Sequence, residues 1–572
     1  MSRVTSVTIG LLSIAFGGYY SGYVHISLGG RHIDGEVERW SCRPFLPRLF
    51  IDTPPSPLYP ELVHASDNLH KTLSQRFAMG DIDSLSFAVV TSDSILFEQN
   101  FGVMRANETG SPPTHSHSMY RIASVAKMFN VLEGFILEQK GLISWDDSID
   151  KYAPGFRYGI TGLDEASTSN AESNPPITLR QLATHMSGLG RDWPPGTVSG
   201  WPHDMSGMGP PPTNGLPFPS YDDLFDSIAK QHLISPPGTY PAYSNAGTAL
   251  LAYALAKAST TASGLSEKIS YADLLKRDIF EPMGLNGSHF LATAANKHLV
   301  VVPSLAPEVA DQDFLDAMNP AAGQFSSLAD LVVVTQALLN PRHPKSRLSR
   351  YSLDTWFHTV HAFEEDDWTE MGFVWEIIKA RDSNDRLRKI YWKLGAMAGY
   401  HAALAVHPGT GYGVVVLMAG HYPDAAKLAY DAFEIFQPAI DNALAYTATE
   451  LYVGEWHDIR AREEQPSSAR IVIDQGTLYI ENFTLRGVDA LKNFGARGRL
   501  ALRSSQRRDE FRIDTGIPGY NGQKHMGCYP YWNGQDLWGT RENAAVNAIY
   551  FSGRGEGRLL HIPSLSIAMV RK

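Results

Sequence analysis

The spacing of hydrophobic residues along the chain predicts a mixture of helices and antiparallel strands. Hydrophobic positions three and four apart predict helices at residues 59–79, 128–139, 246–258 and 424–436, and a further helix from Leu328. Runs of β-branched and aromatic residues predict strands at 86–92, 95–102, 391–395, 401–407 and 412–419. The first two strands should form a hairpin, and the last three should follow one another as antiparallel neighbours.

Beyond about residue 445 the hydrophobic segments become short and are separated by Gly, Asn and Asp clusters. These segments are residues 470–473, 477–480, 548–551 and 559–562. Such a pattern is typical of a small all-β barrel or sandwich. We therefore divide the chain into a linker at 31–54, an α/β (α+β) domain at 55–440 and an all-β domain at 445–572.

Composition and charge indicate a globular protein whose main partner is not nucleic acid. Of the 572 residues, 43% are hydrophobic and 19% are charged, and the formal net charge is −11 without a basic stripe. The twenty histidines do not cluster at metal-ligand spacing, and no phosphate-binding or dinucleotide fingerprint occurs. We expect neither a metal nor a cofactor, and the oligomeric state stays open.

The N-terminal segment predicts entry into the secretory pathway. Residues 4–30 contain no charged side chain, Arg3 precedes them, and small residues follow Phe16. Residues 1–30 are therefore expected to be a cleaved signal peptide or a retained membrane anchor. The protein would then be secreted, or anchored with its catalytic domain on the luminal or extracellular side.

Two other features fit that route. The sequence contains three N-x-S/T glycosylation sequons, at Asn107, Asn286 and Asn482. Its two cysteines, Cys42 and Cys528, lie at opposite ends of the chain. Either one disulfide or two free thiols is compatible with the sequence, because spacing alone does not define pairing.

One segment combines a serine and a lysine at a spacing that nucleophilic catalysis can use. Ser124 and Lys127 lie three apart, on one face of a helix. A helix that begins near Ser124 would supply backbone N–H groups to a developing oxyanion. Ser148 and Ser227 begin the same four-residue pattern, of which a chain this long holds roughly two by chance. Neither has both a long helix behind it and a hairpin ahead of it.

Two further segments carry groups that would complete such a site. Tyr243 precedes a predicted helix, and Lys393 lies in a predicted strand. Ser124 would attack a carbonyl carbon and form an acyl-enzyme. Lys127 and Lys393, placed near Tyr243, would lower the pKa of its phenol. Tyr243 could then take the serine proton and return it to the leaving group.

The remaining polar groups of these segments have supporting parts in this hypothesis. Asn245 would hold a lysine or the amide of the substrate. The backbone N–H groups of Ser124 and Ala396 would form the oxyanion hole, the latter from an edge strand that contains Lys393. His185 is expected to be a structural, hydrogen-bonded histidine.

In this order, the three segments resemble the S-x-x-K, Y-x-N and K-x-G motifs of the serine β-lactamase and penicillin-binding family, on its class C and esterase side. The matching residues are Ser124 to Lys127, Tyr243 to Asn245 and Lys393 to Gly395. The resemblance covers residues 55–440. It implies an antiparallel sheet flanked by helices, an all-helical lobe and a small-molecule acyl substrate.

The third motif departs from the family pattern. Leu394 stands where penicillin-recognising members usually carry a hydroxyl residue, and Ala396 and Met397 make the strand more apolar. We therefore expect an ester, thioester or lipophilic amide as substrate. Relatives of this type include esterases and acyltransferases of polyketide pathways, so a secondary metabolite is one expected substrate.

Three alternatives stay open at this point. The chain could be a β-lactamase or D-amino-acid peptidase, or a catalytically silent binding or scaffold protein with the same fold. The acyl-enzyme could pass its acyl group to water or to an acceptor alcohol. Residues 191–220, rich in Pro, Gly, Trp and Met, could be a lid over the site or a surface insertion.

A short capped helix is predicted within residues 177–189, ending at Gly188.

Overall fold

A single antiparallel sheet forms the centre of the larger domain. The computed structural model describes residues 42–159, 176–264, 269–460, 465–496, 498–515, 527–537 and 539–572. Its first strands are β1 (Ile82–Thr91), β2 (Ile95–Gly102), β3 (Met119–Arg121), β4 (Phe325–Ser327), β5 (His361–Ala362), β6 (Thr369–Met371), β7 (Glu376–Arg381), β8 (Leu387–Met397), β9 (Tyr400–His407) and β10 (Tyr412–Gly420). Eight of them are ordered β2-β1-β10-β9-β8-β7-β6-β5, while β3 pairs with β4.

Helices cover both faces of this sheet. They are α1 (Pro60–Phe77), α2 (Ala126–Gln139), α3 (Leu179–Ala183), α4 (Tyr221–Ala229), α5 (Asn245–Ser263), α6 (Tyr271–Leu275), α7 (Glu281–Met283), α8 (Leu315–Met318), α9 (Leu328–Leu339), α10 (Arg350–Trp356) and α11 (Ala425–Tyr452). Alternate side chains of β1 separate into two cores: Phe87 and Val89 pack with α1 and α11, whereas Ala88 and Val90 pack with α2 and α9. Because both faces are covered at the centre of the sheet, β9 and β10 are buried along almost their whole length and are mostly hydrophobic.

The C-terminal strands close into a barrel. They are β11 (Gly454–Asp458), β12 (Ser468–Asp474), β13 (Thr477–Leu485), β14 (Val488–Asp489), β15 (Leu500–Ser504), β16 (Glu510–Asp514), β17 (Thr540–Arg541), β18 (Ala544–Ala545), β19 (Ala548–Ser552), β20 (Leu559–Ile562) and β21 (Ile567–Arg571), with short helices α12 (Ala490–Asn493) and α13 (Tyr529–Asn533). Eight strands pair in the cycle β11-β12-β13-β15-β16-β19-β20-β21, and β21 returns to β11. The all-β domain is thus a closed barrel with a packed interior, not a sandwich.

The long helix α11 joins the two domains. Its last residue, Tyr452, is buried at one end of the barrel, where its hydroxyl donates to Asp509 at 2.8 Å. Arg558 forms an ion pair with the same carboxylate at 2.5 Å and donates to the carbonyl of Leu451 at 2.7 Å. The domain boundary expected at 440–445 falls inside this helix, which continues well beyond residue 436, where the sequence pattern ended it.

The segment before α1 is packed against the core. Leu46, Phe50 and Ile51 are buried, so the described part of the expected linker is an ordered element of the fold. Cys42 and Cys528 form a disulfide with a Cα–Cα distance of 4.9 Å, which ties this segment to the barrel domain. The predicted leader at residues 1–30 lies outside the described residues. Within the described ranges, no helix has the length and apolar character that a bilayer crossing needs.

Replacing Trp456 should test the packed interior of the barrel. This side chain is completely buried, and Trp456→Ala should lower the free energy of unfolding by about 3–5 kcal/mol because a cavity would remain. Trp532→Ala, whose side chain is 65% exposed in the same domain, is the matched control and should change it by about 0.5 kcal/mol or less. Denaturant unfolding followed by circular dichroism measures both. Equal effects would contradict the packed barrel.

Candidate active site

Ser124 lies in a tight turn immediately before α2. Residues Ala123–Val125 form one turn of 3-10 helix, and Ala123 has a φ of 47°, an uncommon conformation for a residue with a side chain. The helix α2 is buried on nearly all sides, and its first turn carries Lys127, which has no exposed surface. The serine is therefore presented at the mouth of a helix whose position is fixed by the core.

Two groups lie within hydrogen-bond distance of the serine oxygen. Nζ of Lys127 donates to Oγ of Ser124 at 2.9 Å and to the carbonyl of Ala321 at 2.7 Å. The hydroxyl of Tyr243 donates to the same Oγ at 2.7 Å. The structure thus brings together two of the three segments that the sequence singled out, and both contacts are suitable for proton transfer.

Backbone capping holds Tyr243 in place. The next residue, Ser244, caps α5: its Oγ accepts from the backbone N–H of Gly247 at 2.8 Å and donates to the carbonyl of Gly190 at 2.8 Å. The ring of His185 packs on the Tyr243 ring with centroids 4.6 Å apart, and its Nδ1 accepts from the backbone N–H of Ser244 at 3.2 Å. His185 therefore has the structural position that we expected.

The third segment approaches through the end of β8. Pairing of β7 with β8 stops at Glu376 opposite Trp392, so residues 393–397 extend past β7 and pair only with β9. Although β8 is inside the sheet, this end of it has a free edge, as the sequence-based hypothesis required. A Cβ on Gly395 would lie 2.2 Å from the carbonyl oxygen of Ile122 and 3.2 Å from the backbone N of Ser124. Only glycine permits this approach, and Ala396 follows it in an exposed position.

Lys393 is paired with a carboxylate that the sequence analysis did not identify. Its Nζ is 2.6 Å from Oε1 of Glu376, and it also donates to the carbonyl of Leu394 at 2.9 Å. Oε2 of Glu376 accepts from the backbone N–H of Leu394 at 3.1 Å. The available signal for Glu376 was its place in the otherwise hydrophobic run 373–378, because a carboxylate among such residues needs a partner.

The buried charges shift the proton affinities of the site. Burial raises the pKa of the Tyr243 phenol, but Lys127 and then Lys393 outweigh it, and the pKa falls below its ordinary value. Burial lowers the pKa of Lys127, and the positive charge of Lys393 adds to that effect. For Lys393, Glu376 and Tyr243 outweigh burial and raise the pKa. Burial and the surrounding cations lower the pKa of His185 well below its usual range, so its ring is neutral.

Asn245 makes a contact other than the one expected. Its Nδ2 donates to Oδ1 of Asp192 at 2.7 Å, so its amide group is held by a carboxylate and not by a lysine. Its Oδ1 is buried and accepts no hydrogen bond from the described residues. Arg191 lies over the Tyr243 ring at 5.0 Å and pairs with Asp192 at 3.4 Å. Neither Arg191 nor Asp192 was expected from the sequence, because their loop has no periodic pattern.

The other predicted features are also located. The capped helix ends at Ala183, earlier than Gly188, because His185 adopts a positive φ of 58°. Segment 191–220 begins beside Tyr243 with Arg191, and near its other end Phe218 stacks on Phe314 with centroids 4.7 Å apart. The two other serines that begin the same four-residue pattern lie outside the site. Ser148 caps a 3-10 turn, and Ser227 belongs to α4.

Comparison with known proteins agrees with this geometry. The sequence matches the family described as Beta-lactamase over residues 69–436, which is more than half of the chain. The chain belongs to the β-lactamase family. Beta-lactamase-like protein str6 of Strobilurus tenacellus is 34% identical to it over 309 residues, covering 53% of this chain and 98% of that protein. Putative beta-lactamase-like 1 of Homo sapiens is 26% identical over 388 residues, covering 67% and 71%.

A solved structure of a penicillin-binding protein homologue shares the fold. The octameric penicillin-binding protein homologue from Pyrococcus abyssi matches 88% of this chain and 99% of its own with a TM-score of 0.50 and 18% identity. The matched 88% of this chain is longer than residues 69–436, so the similarity in fold extends beyond the region that matches the family. The family and the helix-flanked antiparallel sheet expected from the three motifs are thereby confirmed.

The pH dependence of activity should report the effect of Lys393 on Tyr243. Lys393→Met removes a charge that lowers the pKa of Tyr243 and leaves Glu376, which raises it. If activity requires the ionised phenol, the rising limb of kcat/KM should move to higher pH, by about one unit or more.

Lys389→Met is the matched control for this measurement. Lys389 lies on the same strand and pairs with Glu370 at 2.5 Å, away from Tyr243. Its replacement should leave the limb in place. A limb that stays unmoved in Lys393→Met would show that Tyr243 does not control the pH dependence.

Proposed function

We propose that this chain is a serine hydrolase or acyltransferase that forms an acyl-enzyme on Ser124 from an ester, thioester or amide of a lipophilic small molecule. One observation carries the proposal: Oγ of Ser124 lies 2.9 Å from Nζ of Lys127 and 2.7 Å from the Tyr243 hydroxyl. A weakly acidic alcohol becomes a useful nucleophile when such groups can accept its proton. A purely structural serine does not need two.

The proposed reaction follows from these contacts. The Tyr243 phenolate, or the neutral amine of Lys127, takes the proton of Ser124 while Oγ bonds to the substrate carbonyl carbon. The carbonyl oxygen becomes negative and accepts hydrogen bonds from the backbone N–H groups of Ser124 and Ala396. As the bond to the leaving group breaks, the proton passes from Tyr243 to that group. Water or an alcohol then attacks the acyl-enzyme by the same steps in reverse.

A hydrophobic cluster beside the reacting atoms supports a lipophilic substrate. It consists of Phe314, Met318 and Ala321, with Phe218, Ala322 and Met397 packed against them. The carbonyl of Ala321 accepts from Lys127, and Met397 follows the exposed Ala396. An acyl chain bound at Ser124 can therefore bury its carbon atoms against this cluster.

The state of Lys393 argues against a substrate carboxylate at that position. Its ammonium group is 1% exposed and already contacts Glu376 and the carbonyl of Leu394. With Leu394 in place of a hydroxyl residue, little donor capacity is left for an incoming carboxylate. These contacts favour uncharged esters over penicillin-like substrates.

A second candidate function rests on Arg191. Its side chain is 70% exposed and lies over the Tyr243 ring, so its guanidinium could bind a carboxylate near the site. This arrangement favours a β-lactamase or D-amino-acid peptidase. Loss of β-lactam acylation in Arg191→Ala, with ester acylation retained, would support this candidate.

The nucleophile can be tested by intact-mass measurement. Incubation with panels of esters, thioesters and β-lactams should load an acyl group on the wild-type chain. Ser124→Ala should load none, and its hydrolytic activity should fall roughly a thousandfold or more because the covalent step is lost. Peptide mapping after fluorophosphonate labelling should place the label on Ser124.

Ser227→Ala is the matched control, because Ser227 lies in α4 and Lys230, the residue after its last, has the same spacing from it as Lys127 has from Ser124. It should label and turn over as the wild type does. Equal labelling of Ser124→Ala and wild type would exclude Ser124 as nucleophile. Absence of any label on the folded wild-type chain would favour the silent scaffold.

The hydrophobic cluster can be tested through chain-length preference. Phe218→Ala should lower kcat/KM for p-nitrophenyl octanoate about tenfold while changing that for the acetate little, because only the longer chain reaches the cluster. Tyr351→Ala, at an 80% exposed aromatic residue of α10, is the control and should affect neither ester. Equal losses for both esters would contradict an acyl-binding role.

A further inference from the structure

A cavity of about 640 Å³ lies at the seam between the two domains, and none of its lining residues belongs to the Ser124 site. The larger domain contributes residues from 47–53, Arg350 at the start of α10, and the last turns of α11. The barrel contributes two loops, 504–509 and 553–558. This volume is that of a typical small-molecule site, and such sites often lie between domains.

The lining is strongly basic. Its arginines are Arg48, Arg350, Arg507, Arg508, Arg554 and Arg558. Its carboxylates are Asp52 and Asp509. Because the whole chain has a formal net charge of −11, this local excess runs against the overall charge. Guanidinium groups presented from both domains therefore face one space.

Part of this charge is structural. Arg558 is buried and is satisfied by Asp509 and by the carbonyl groups of Leu451 and Gly553, so it supports the contact between helix and barrel. Asp509 also accepts from the hydroxyl of Tyr452. Arg558 and Asp509 are satisfied by these partners and are not available to a ligand.

The other arginines are incompletely neutralised. Arg48 and Arg350 share one carboxylate, Asp354, at 3.9 and 2.9 Å. Burial lowers the pKa of Arg48; Asp354 opposes this effect and Arg350 adds to it. These two cations of the larger-domain side thus share a single anion.

The barrel side shows the same excess. Arg507 pairs with Glu510, and Arg508 lies 3.7 Å from the already engaged Asp509. Arg554 makes no ion pair with the described residues and is exposed. With Asp52 held by Arg342 outside the lining, seven arginines meet four carboxylates around this cavity. Three positive charges are therefore unmatched.

We propose that this cavity is a binding site for a small molecule carrying two or more phosphate groups, which joins the barrel to the larger domain. The guanidinium fork matches phosphate oxygens in two-point contacts, and arginines from both sides can reach one ligand. A phosphate group carries close to two negative charges at neutral pH, so two groups suffice for the unmatched cations. A single carboxylate carries only one negative charge and would not match them.

Titration calorimetry with pyrophosphate on the full chain tests the proposal. At constant ionic strength, pyrophosphate should bind at one site, more tightly than sulfate or citrate, and should raise the thermal midpoint. Arg507→Ala/Arg554→Ala should weaken binding about tenfold or more, equivalent to about 1.4 kcal/mol. Arg507 and Arg554 are exposed, so the double variant should keep the fold and the unliganded midpoint.

Arg541→Ala is the control, since it removes an exposed arginine of the same domain outside the cavity. It should bind pyrophosphate as the wild type does. Citrate binding as tightly as pyrophosphate would overturn the assignment to phosphates. No saturable binding, or identical binding by wild type and the double variant, would overturn the site itself. Pyrophosphate binding is measured without turnover at Ser124, so the result does not depend on the proposed function.

Discussion

The burial of two lysine side chains is the constraint on which the arrangement of the larger domain depends. Lys127 is completely buried and Lys393 is 1% exposed, and removing an ammonium ion from water costs several kcal/mol unless partners replace the lost hydration. The partners come from distant segments: the carbonyl of Ala321, the hydroxyl of Tyr243 and the carboxylate of Glu376. The segments must therefore meet for either lysine to be tolerated, and the site is coupled to the fold itself.

The backbone around these charges is shaped to allow the meeting. Glycine at position 395 lets the end of β8 touch the turn before α2, and this end of β8 is free because β7 begins only at Glu376, opposite Trp392. The capping serine of α5 fixes the residue before it, Tyr243. Gly395, Glu376 and Ser244 each lie in or at the end of a strand or helix, and such elements hold side chains more precisely than free loops do.

The sequence was informative wherever local chemistry decides the outcome. The hairpin of β1 and β2, the strands β8 to β10 and the helix behind Ser124 all follow from hydrophobic spacing, and the first two motifs identified Lys127 and Tyr243, which contact Ser124. Long-range pairings were beyond its reach. The closure of the barrel, the contact of Asn245 with Asp192 and the partner of Lys393 depend on which segments pack together. The extension of α11 to Tyr452 was missed because Pro438 and polar residues interrupt its pattern.

The charge balance of the site explains how the Lys127 amine and the Tyr243 phenolate can share one proton. Lys393 is matched by Glu376, so Lys127 and Tyr243 decide the remaining charge. Ammonium with phenolate, or amine with phenol, leaves the pair neutral, whereas ammonium with phenol leaves a buried positive charge that the low dielectric disfavours. Burial, with Lys393, lowers the pKa of Lys127, and the two lysines lower the pKa of Tyr243 against the effect of burial, so both shifts disfavour the state with ammonium and phenol together. In either neutral arrangement an unprotonated group lies within 3 Å of Oγ of Ser124 and is placed to accept its proton.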